Sequence, residues 1–220
     1  LRTSIELLEA LKKCVKIDEK NPWWWPNSGT FEVVVGAILT QRSSWQRVQE
    51  VLERLQNIKA LHVDTMAAFS KDELSQILKP CGFYAQKADK LIRLSQNIKE
   101  DFGDFETFKT SVDRQWLLRQ KGVGPESADA ILCYACQREA MVVDRYTAIL
   151  LNYYGFEFET YEELQSWFLD GLDEKKLRQI YANMPRGQVY ARFHGKIVEF
   201  CKGRIKKGEL TQGVPGLSPD

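Results

Sequence analysis

Apolar positions recur every three to four residues along most of this chain, a spacing that predicts helices almost throughout. Residues 3–15 carry Ile5, Leu8, Leu11 and Val15 on one stripe, and Thr3 and Glu6 stand at the spacing of a capping box. Residues 30–41 read as a buried helix, because Phe31, Val34, Val35 and Ile38 share a face and the run is long for a strand. Ser44 is the predicted N-cap of a helix that opens with Trp45. Short helices follow over 64–79, with Ser70 and Glu73 as a capping box and Pro80 as the stop. The turn Cys81-Gly82-Phe83-Tyr84 leads into a helix over 84–102 with Ala88, Leu91, Ile92 and Ile98 inward, and a short element at 104–112 follows. Further on, a helix over 145–155 is stopped by Gly155, and Thr160 with Glu163 starts the next helical run, which reaches Met184-Pro185. A last helix over 187–207 puts Val189, Phe193, Ile197 and Phe200 on one face, and the tail from Gly208 to Asp220 reads as irregular. The expected class is all-α.

Two stretches interrupt this regularity. Trp23-Trp24-Trp25 lies between Pro22 and Pro26, where neither a regular helix nor a central strand fits, so it reads as an aromatic loop. Three consecutive tryptophans cannot all point one way. Either all pack as core by different routes, or one remains to line a pocket. The second stretch is 115–148, two apolar helical runs joined by Gly122-Val123-Gly124, then a short apolar run that ends in Asp144. Pro125 opens the second helix, where its missing N–H costs nothing.

The two glycines permit left-handed backbone angles, and the N–H groups of such a turn, beside the N-terminus of the next helix, can hold a DNA phosphate. Arg119 and Lys121 add charge that positions DNA without reading its sequence. The same spacing also fits an ordinary helical hairpin with a glycine stop. Asp144 likewise has two roles open to it, an N-cap for the helix that follows and a reactive carboxylate, and the two are compatible.

Composition narrows the field only a little. The 220 residues suffice for one globular unit or two small lobes, and the net charge of +1 makes any nucleic-acid surface a local basic face. No run is long and apolar enough to span a membrane, and the charged first helix does not resemble a signal peptide, so the expected setting is the cytoplasm. Cys14, Cys81, Cys133, Cys136 and Cys201 are an odd, scattered set that reads as free thiols, with Cys133 and Cys136 as core. His62 and His194 lack metal-ligand spacing and read as structural or surface residues. Lys196, at the edge of the apolar face of the last helix, either sends its amine to solvent or keeps it partly buried near a pocket, open to modification such as carbamylation.

A resemblance sharpens this picture. Residues 118–132, LRQKGVGPESADAIL, and 142–150, VVDRYTAIL, resemble the hairpin and catalytic-aspartate segment of the endonuclease III superfamily of DNA glycosylases. The resemblance implies a two-lobed helix-hairpin-helix fold with the active site in the cleft between lobes. One lobe would span about 26–140 with the hairpin at 113–137, the other 1–25 with 141–220. It further implies Asp144 as the catalytic carboxylate, Lys121, Gly122, Val123 and Gly124 as the backbone grip, Gln41 as the side chain that fills the gap left by an extruded nucleotide, and Phe83 as an apolar wedge. Without the resemblance Gln41 reads as a solvated loop residue and Phe83 equally well as core.

Departures from the pattern matter as much. Members that also cut the strand carry a lysine 18 residues before the aspartate, and here that position is Glu126, which cannot form a Schiff base. Many members hold an iron–sulfur cluster on four C-terminal cysteines, whereas this C-terminus has only Cys201, so no cluster and no other cofactor is expected. WWWPN, LTQ, GFY, MVVD and YARFHGKIVEF are similar to the bacterial type III 3-methyladenine DNA glycosylases. Trp24, Trp25, Pro26 and Trp45 would make an aromatic base pocket suited to a cationic base, and the likeness likewise implies excision of alkylated purines, 3-methyladenine among them, from double-stranded DNA; a monomer is expected. A glycosylase for mismatched or deaminated pyrimidines, or a DNA-binding hairpin protein without catalysis, fits the residues as alternatives.

Overall fold

The computed structural model describes residues 1–218; Pro219 and Asp220, the end of the expected irregular tail, lie outside the described residues. In chain order the helices are α1 (Ser4–Cys14), α2 (Phe31–Leu39), α3 (Trp45–Asn57), α4 (Val63–Ala68), α5 (Lys71–Leu78), α6 (Tyr84–Phe102), α7 (Phe105–Ser111), α8 (Arg114–Arg119), α9 (Pro125–Ala130), α10 (Arg145–Tyr153), α11 (Tyr161–Asp170), α12 (Glu174–Ile180) and α13 (Arg186–Cys201). A wider helical turn over Ile131–Ala135 prolongs α9, and one hairpin pairs β1 (Ile205–Lys206) with β2 (Glu209–Leu210). The protein is all-α, as the periodicity predicts. The chain forms two compact units, Asn27–Cys136 on one hand and Leu1–Pro26 with Gln137–Asp220 on the other.

The Asn27–Cys136 unit is built around α2. Every residue of that helix except Glu32 is buried, and α3, α6, α9 and the Ile131–Ala135 turn all pack on it. A helix apolar on all sides has to be a core element. The long α6 packs on α4 and α5, and its last turn meets an aromatic cluster in which Phe102, Phe108 and Trp116 lie edge-to-face with centroids 5.0–5.7 Å apart. Trp116 Nε1 donates to Asp101 Oδ2 at 2.7 Å, so the buried indole keeps its hydrogen bond. Ser70 and Glu73 form the expected capping box, and Asp104 and Asp113 cap α7 and α8 by accepting from Thr107 N and Trp116 N at 2.7 Å.

In the hairpin α8 and α9 are joined by an ion pair. Arg114 Nε and Nη2 reach the two carboxylate oxygens of the buried Asp129 at 2.8 and 3.1 Å. The turn between these helices departs from expectation in one respect. Gly122 has a left-handed φ of 87°, but Gly124 is extended, with φ −92° and ψ 179°, as the N-cap of α9. The second glycine is thus not needed for backbone angle.

The other unit centres on α13, on which α1 and α10 pack. Periodicity predicts a one-sided helix over 187–207, but the helix is buried on nearly all sides and stops at Cys201. Glycines replace larger residues where neighbours press closest: Trp23 and the Arg138 backbone lie against Gly187, and Trp24 against Gly195. After Cys201 the chain turns into the small β-hairpin, with Lys207 and Gly208 at φ 51° and 89°, the left-handed pair favoured in two-residue hairpin turns. The expected box at Thr3 and Glu6 is also revised. Thr3 makes no side-chain cap bond, and Glu6 instead accepts from Arg2 N at 2.9 Å.

Candidate functional site

Asp144 stands at the N-terminus of α10 and caps it. Its Oδ1 accepts from Thr147 N and from Thr147 Oγ1, both at 2.9 Å, while Thr147 Oγ1 accepts from Asp144 N at 3.2 Å. This reciprocal box fixes the carboxylate's rotamer and leaves Oδ2 pointing elsewhere. His194 Nε2 of α13 lies 3.3 Å from that second oxygen. Burial alone would raise the Asp144 carboxyl, but His194 and the Thr147 bonds outweigh it and lower it from its ordinary value. The N-terminal end of α10 favours the same ionised form. A carboxylate oxygen has room for more than one hydrogen bond, so Oδ2 can take a water as well.

The aromatic loop supplies the next piece. Trp23 and Trp25 are buried, whereas Trp24 is only half-buried and holds a left-handed φ of 63°. The His194 and Trp24 rings meet in a T-shaped pair with centroids 5.5 Å apart, so one histidine touches both the tryptophan and the carboxylate. Trp24 rests on Gly195, where any Cβ would come within 2.4 Å of the indole, and meets Trp25 edge-on at 6.3 Å. Lys202 Nζ lies 6.0 Å from the Trp24 ring. Pro26 is exposed and follows directly.

Lys196 is not a surface lysine. It is 5 % exposed, its amine donates to the Val15 carbonyl, and burial, with Arg192 nearby, lowers its pKa. The edge position read from the helix pattern fails because α13 is buried on nearly all sides, Lys196 included. Cys201, also on α13, is pushed up to about 12 by burial and by the Asp144 charge. It is a protonated packing residue that donates to the Tyr146 carbonyl at 3.7 Å.

In the Asn27–Cys136 unit Gln41 is partly exposed, and both ends of its amide are tied down. Its Nε2 donates to the Gly122 carbonyl and to Ser127 Oγ, both at 3.0 Å, and its Oε1 accepts from Lys90 Nζ at 2.7 Å. Lys121 and Gly124 are exposed on the hairpin, and Val123 is buried beneath it. Phe83 is 54 % exposed in a left-handed conformation with φ 47°, with the Arg42 guanidinium 5.7 Å from its ring centroid. Trp45 is half-buried at the first position of α3, and Glu126 is exposed near the start of α9. Cys81, Cys133 and Cys136 are buried free thiols, and among the described residues no three His, Cys, Asp or Glu side chains gather as metal ligands.

Several residues at these positions carry no sequence signal. His194 lies 50 residues beyond Asp144, and a single buried histidine on a helix has no local pattern. Lys90 and Ser127 meet Gln41 only through folding. The one available hint is the spacing of Asp144 and Thr147, which is that of a capping pair.

Residues 35–181 match the model of the HhH-GPD superfamily of base excision DNA repair proteins. A provisionally named DNA repair glycosylase of Methanocaldococcus jannaschii is 37% identical over 206 residues, covering 87% of this chain and 86% of its own. A crystal structure of the H. pylori 3-methyladenine DNA glycosylase MagIII, bound to 1,N6-ethenoadenine, superposes with a TM-score of 0.87 at 45% identity, over 93% of this chain and 99% of that one. A non-covalent endonuclease III–DNA complex shares the fold, with a TM-score of 0.69 at 18% identity over 94% of this chain and 89% of its own.

Proposed function

Because the chain belongs to the HhH-GPD superfamily of base excision DNA repair proteins, we propose that this DNA glycosylase is monofunctional, and that it excises alkylated purines, 3-methyladenine foremost, by hydrolysis. The observation that carries this reading is the contact of His194 with both the Asp144 carboxylate and the half-buried Trp24. An aromatic face and a fixed negative charge share one neighbour. The similarity to the H. pylori enzyme and its bound modified adenine supports the same substrate class.

A 3-methyladenine nucleotide carries positive charge on the base, so the base needs no general acid to leave. Aromatic faces attract such a cation by about 0.5–2 kcal/mol per contact. As the bond from the base to C1′ breaks, its electron pair neutralises the base and positive charge grows on the sugar. Asp144, ionised and fixed, stabilises that charge and orients a water, whose oxygen bonds to C1′ and whose proton passes to the carboxylate and then to solvent. Trp24, Trp25, Pro26 and Trp45 are assigned to recognition of the base. Gln41 fills the gap, Phe83 is the wedge, and the backbone of Lys121, Gly122, Val123 and Gly124 grips the phosphates. Lys196, with its buried amine of lowered pKa, is assigned to support of the pocket, and mass spectrometry of the intact chain in bicarbonate buffer tests whether it carries a carbamate.

The deciding experiment is chromatography of bases freed from alkylated duplex DNA by the parent and by Asp144→Asn. Release of 3-methyladenine by the parent alone is the expected result. Release of uracil or thymine from mismatches, with none of 3-methyladenine, would move the substrate to pyrimidines.

A further inference from the structure

Two lysines of α6, Lys87 and Lys90, are one turn apart on the same helix, and each holds part of the segment that carries Gln41. Lys87 is only 2 % exposed. Its amine donates to the Leu39 carbonyl at 2.8 Å, to Ser43 Oγ at 2.6 Å and to the Cys81 carbonyl at 3.1 Å. An ammonium has three protons to donate, and these three acceptors use them all. Ser43 Oγ donates in turn to the Cys81 carbonyl. One buried amine therefore closes the C-terminal end of α2, where the chain runs on to Gln41, and the turn that presents Phe83.

Lys90 acts on the glutamine itself. Its amine fixes Gln41 Oε1 at 2.7 Å, which dictates that Nε2 face the hairpin and donate to Gly122 O and Ser127 Oγ. To get there the Lys90 stem crosses Gly122, where a Cβ would lie 2.4–2.9 Å from its Cε, Cδ and Cγ. Gly122 is thus required twice, once for its left-handed φ of 87° and once for the passage of this side chain. Arg42, the residue after Gln41, places its guanidinium 5.7 Å from the Phe83 ring centroid.

We propose that Lys87 and Lys90 are positioning residues for insertion into DNA, Lys87 fixing the two segments that carry Gln41 and Phe83, and Lys90 setting the orientation of the Gln41 amide. A long, flexible side chain that must occupy one gap gains from being ordered beforehand, because the ordering cost is then not charged to binding. The proposal rests on the reading of Gln41 as the residue that fills the gap. It adds that the hairpin turn and the inserting glutamine are one hydrogen-bonded assembly rather than two independent contacts.

The test uses the full chain and two duplexes, one intact and one with a tetrahydrofuran abasic analogue opposite 2-aminopurine, whose fluorescence reports unstacking. Lys90→Met should lose selectivity for the abasic duplex about tenfold, the worth of one hydrogen bond to a charged group, with a smaller fluorescence rise. Affinity for intact duplex should hold within about twofold, and Lys90→Arg should restore selectivity. Lys87→Met, if its melting curve shows it folded, should lose selectivity as well. Unchanged selectivity in Lys90→Met would sink the proposal. So would an equal loss on both duplexes, which would make Lys90 a plain phosphate contact. A parent protein that does not discriminate between the duplexes would refute the gap-filling role of Gln41 itself, a result separable from either.

Discussion

His194 Nε2 stands 3.3 Å from Asp144 Oδ2, on the carboxylate oxygen opposite the one that Thr147 holds. The carboxylate is therefore gripped from two sides, by its own helix and by α13. With Asp144 lowered from its ordinary value, base release in the parent should persist as pH falls through the usual carboxylate range. In His194→Ala the acid limb of the pH–rate profile should move to higher pH. The same linkage has a stability counterpart. A carboxyl lowered on folding adds stability above its unfolded pKa, which is lost as pH falls through the folded one, so Asp144→Asn should flatten the acid side of the melting-temperature curve. An unmoved acid limb in His194→Ala would assign the lowered carboxyl to Thr147 and the α10 N-terminus alone.

Removing the charge while keeping the shape should cost the chemistry more than the binding. Asp144→Asn should slow single-turnover base release by about 10²–10³-fold, the scale of one preorganised electrostatic group, with duplex affinity kept. Gel-shift and single-turnover assays run on the same preparation separate the two effects.

Gly195 is the floor on which Trp24 rests. In Gly195→Ala the new Cβ would sit 2.4 Å from the indole, and because the ring packs on the α13 backbone there, the indole has to move. The expected result is a higher KM for alkylated DNA and a loss in kcat/KM, with intact-duplex affinity unchanged. Trp24→Phe should do the same more weakly, since a smaller ring keeps a face for the cation. Equal activity in Gly195→Ala and the parent would take Trp24 out of the pocket.

What is legible in the sequence is local. The α2 core helix, the hairpin and the Ser70 capping box are each written in neighbouring residues, and Asp144 stands out because a short apolar run leads straight to it. His194, Lys90 and Ser127 cannot be read in the same way, since their partners lie far along the chain and only packing brings them together. Lys196 escapes the helix pattern because a stripe of Val189, Phe193 and Ile197 predicts one buried face, while the folded helix is covered by α1, α10 and Trp24 on more than one side. The strands of the small β-hairpin are two residues long, too short to show alternation.

The ion pair between Arg114 and Asp129 gives a prediction about stability rather than chemistry. Asp129 is 2 % exposed and takes both bonds from one guanidinium, so Asp129→Ala leaves Arg114 without that partner inside the hairpin. Breaking a buried pair on one side typically costs about 3–5 kcal/mol, and because Arg114 is partly exposed the loss should fall at the lower end. Chemical denaturation should show it as a shift of midpoint with an unchanged slope.

Strand cutting by a glycosylase requires an amine that attacks C1′ and holds the sugar as an imine. At the position where strand-cutting relatives carry that lysine stands Glu126, near the start of α9, and a carboxylate offers no amine. Two buried lysines that could be imagined as substitutes are already engaged, the Lys196 amine with the Val15 carbonyl and the Lys87 amine with three acceptors of its own. Incubation with alkylated duplex and borohydride should therefore give abasic sites without a trapped protein–DNA adduct and without strand breaks beyond the background set by alkali-free controls. A borohydride-stable adduct would overturn the monofunctional assignment. Peptide mapping of the adduct would then name the lysine that supplies the amine.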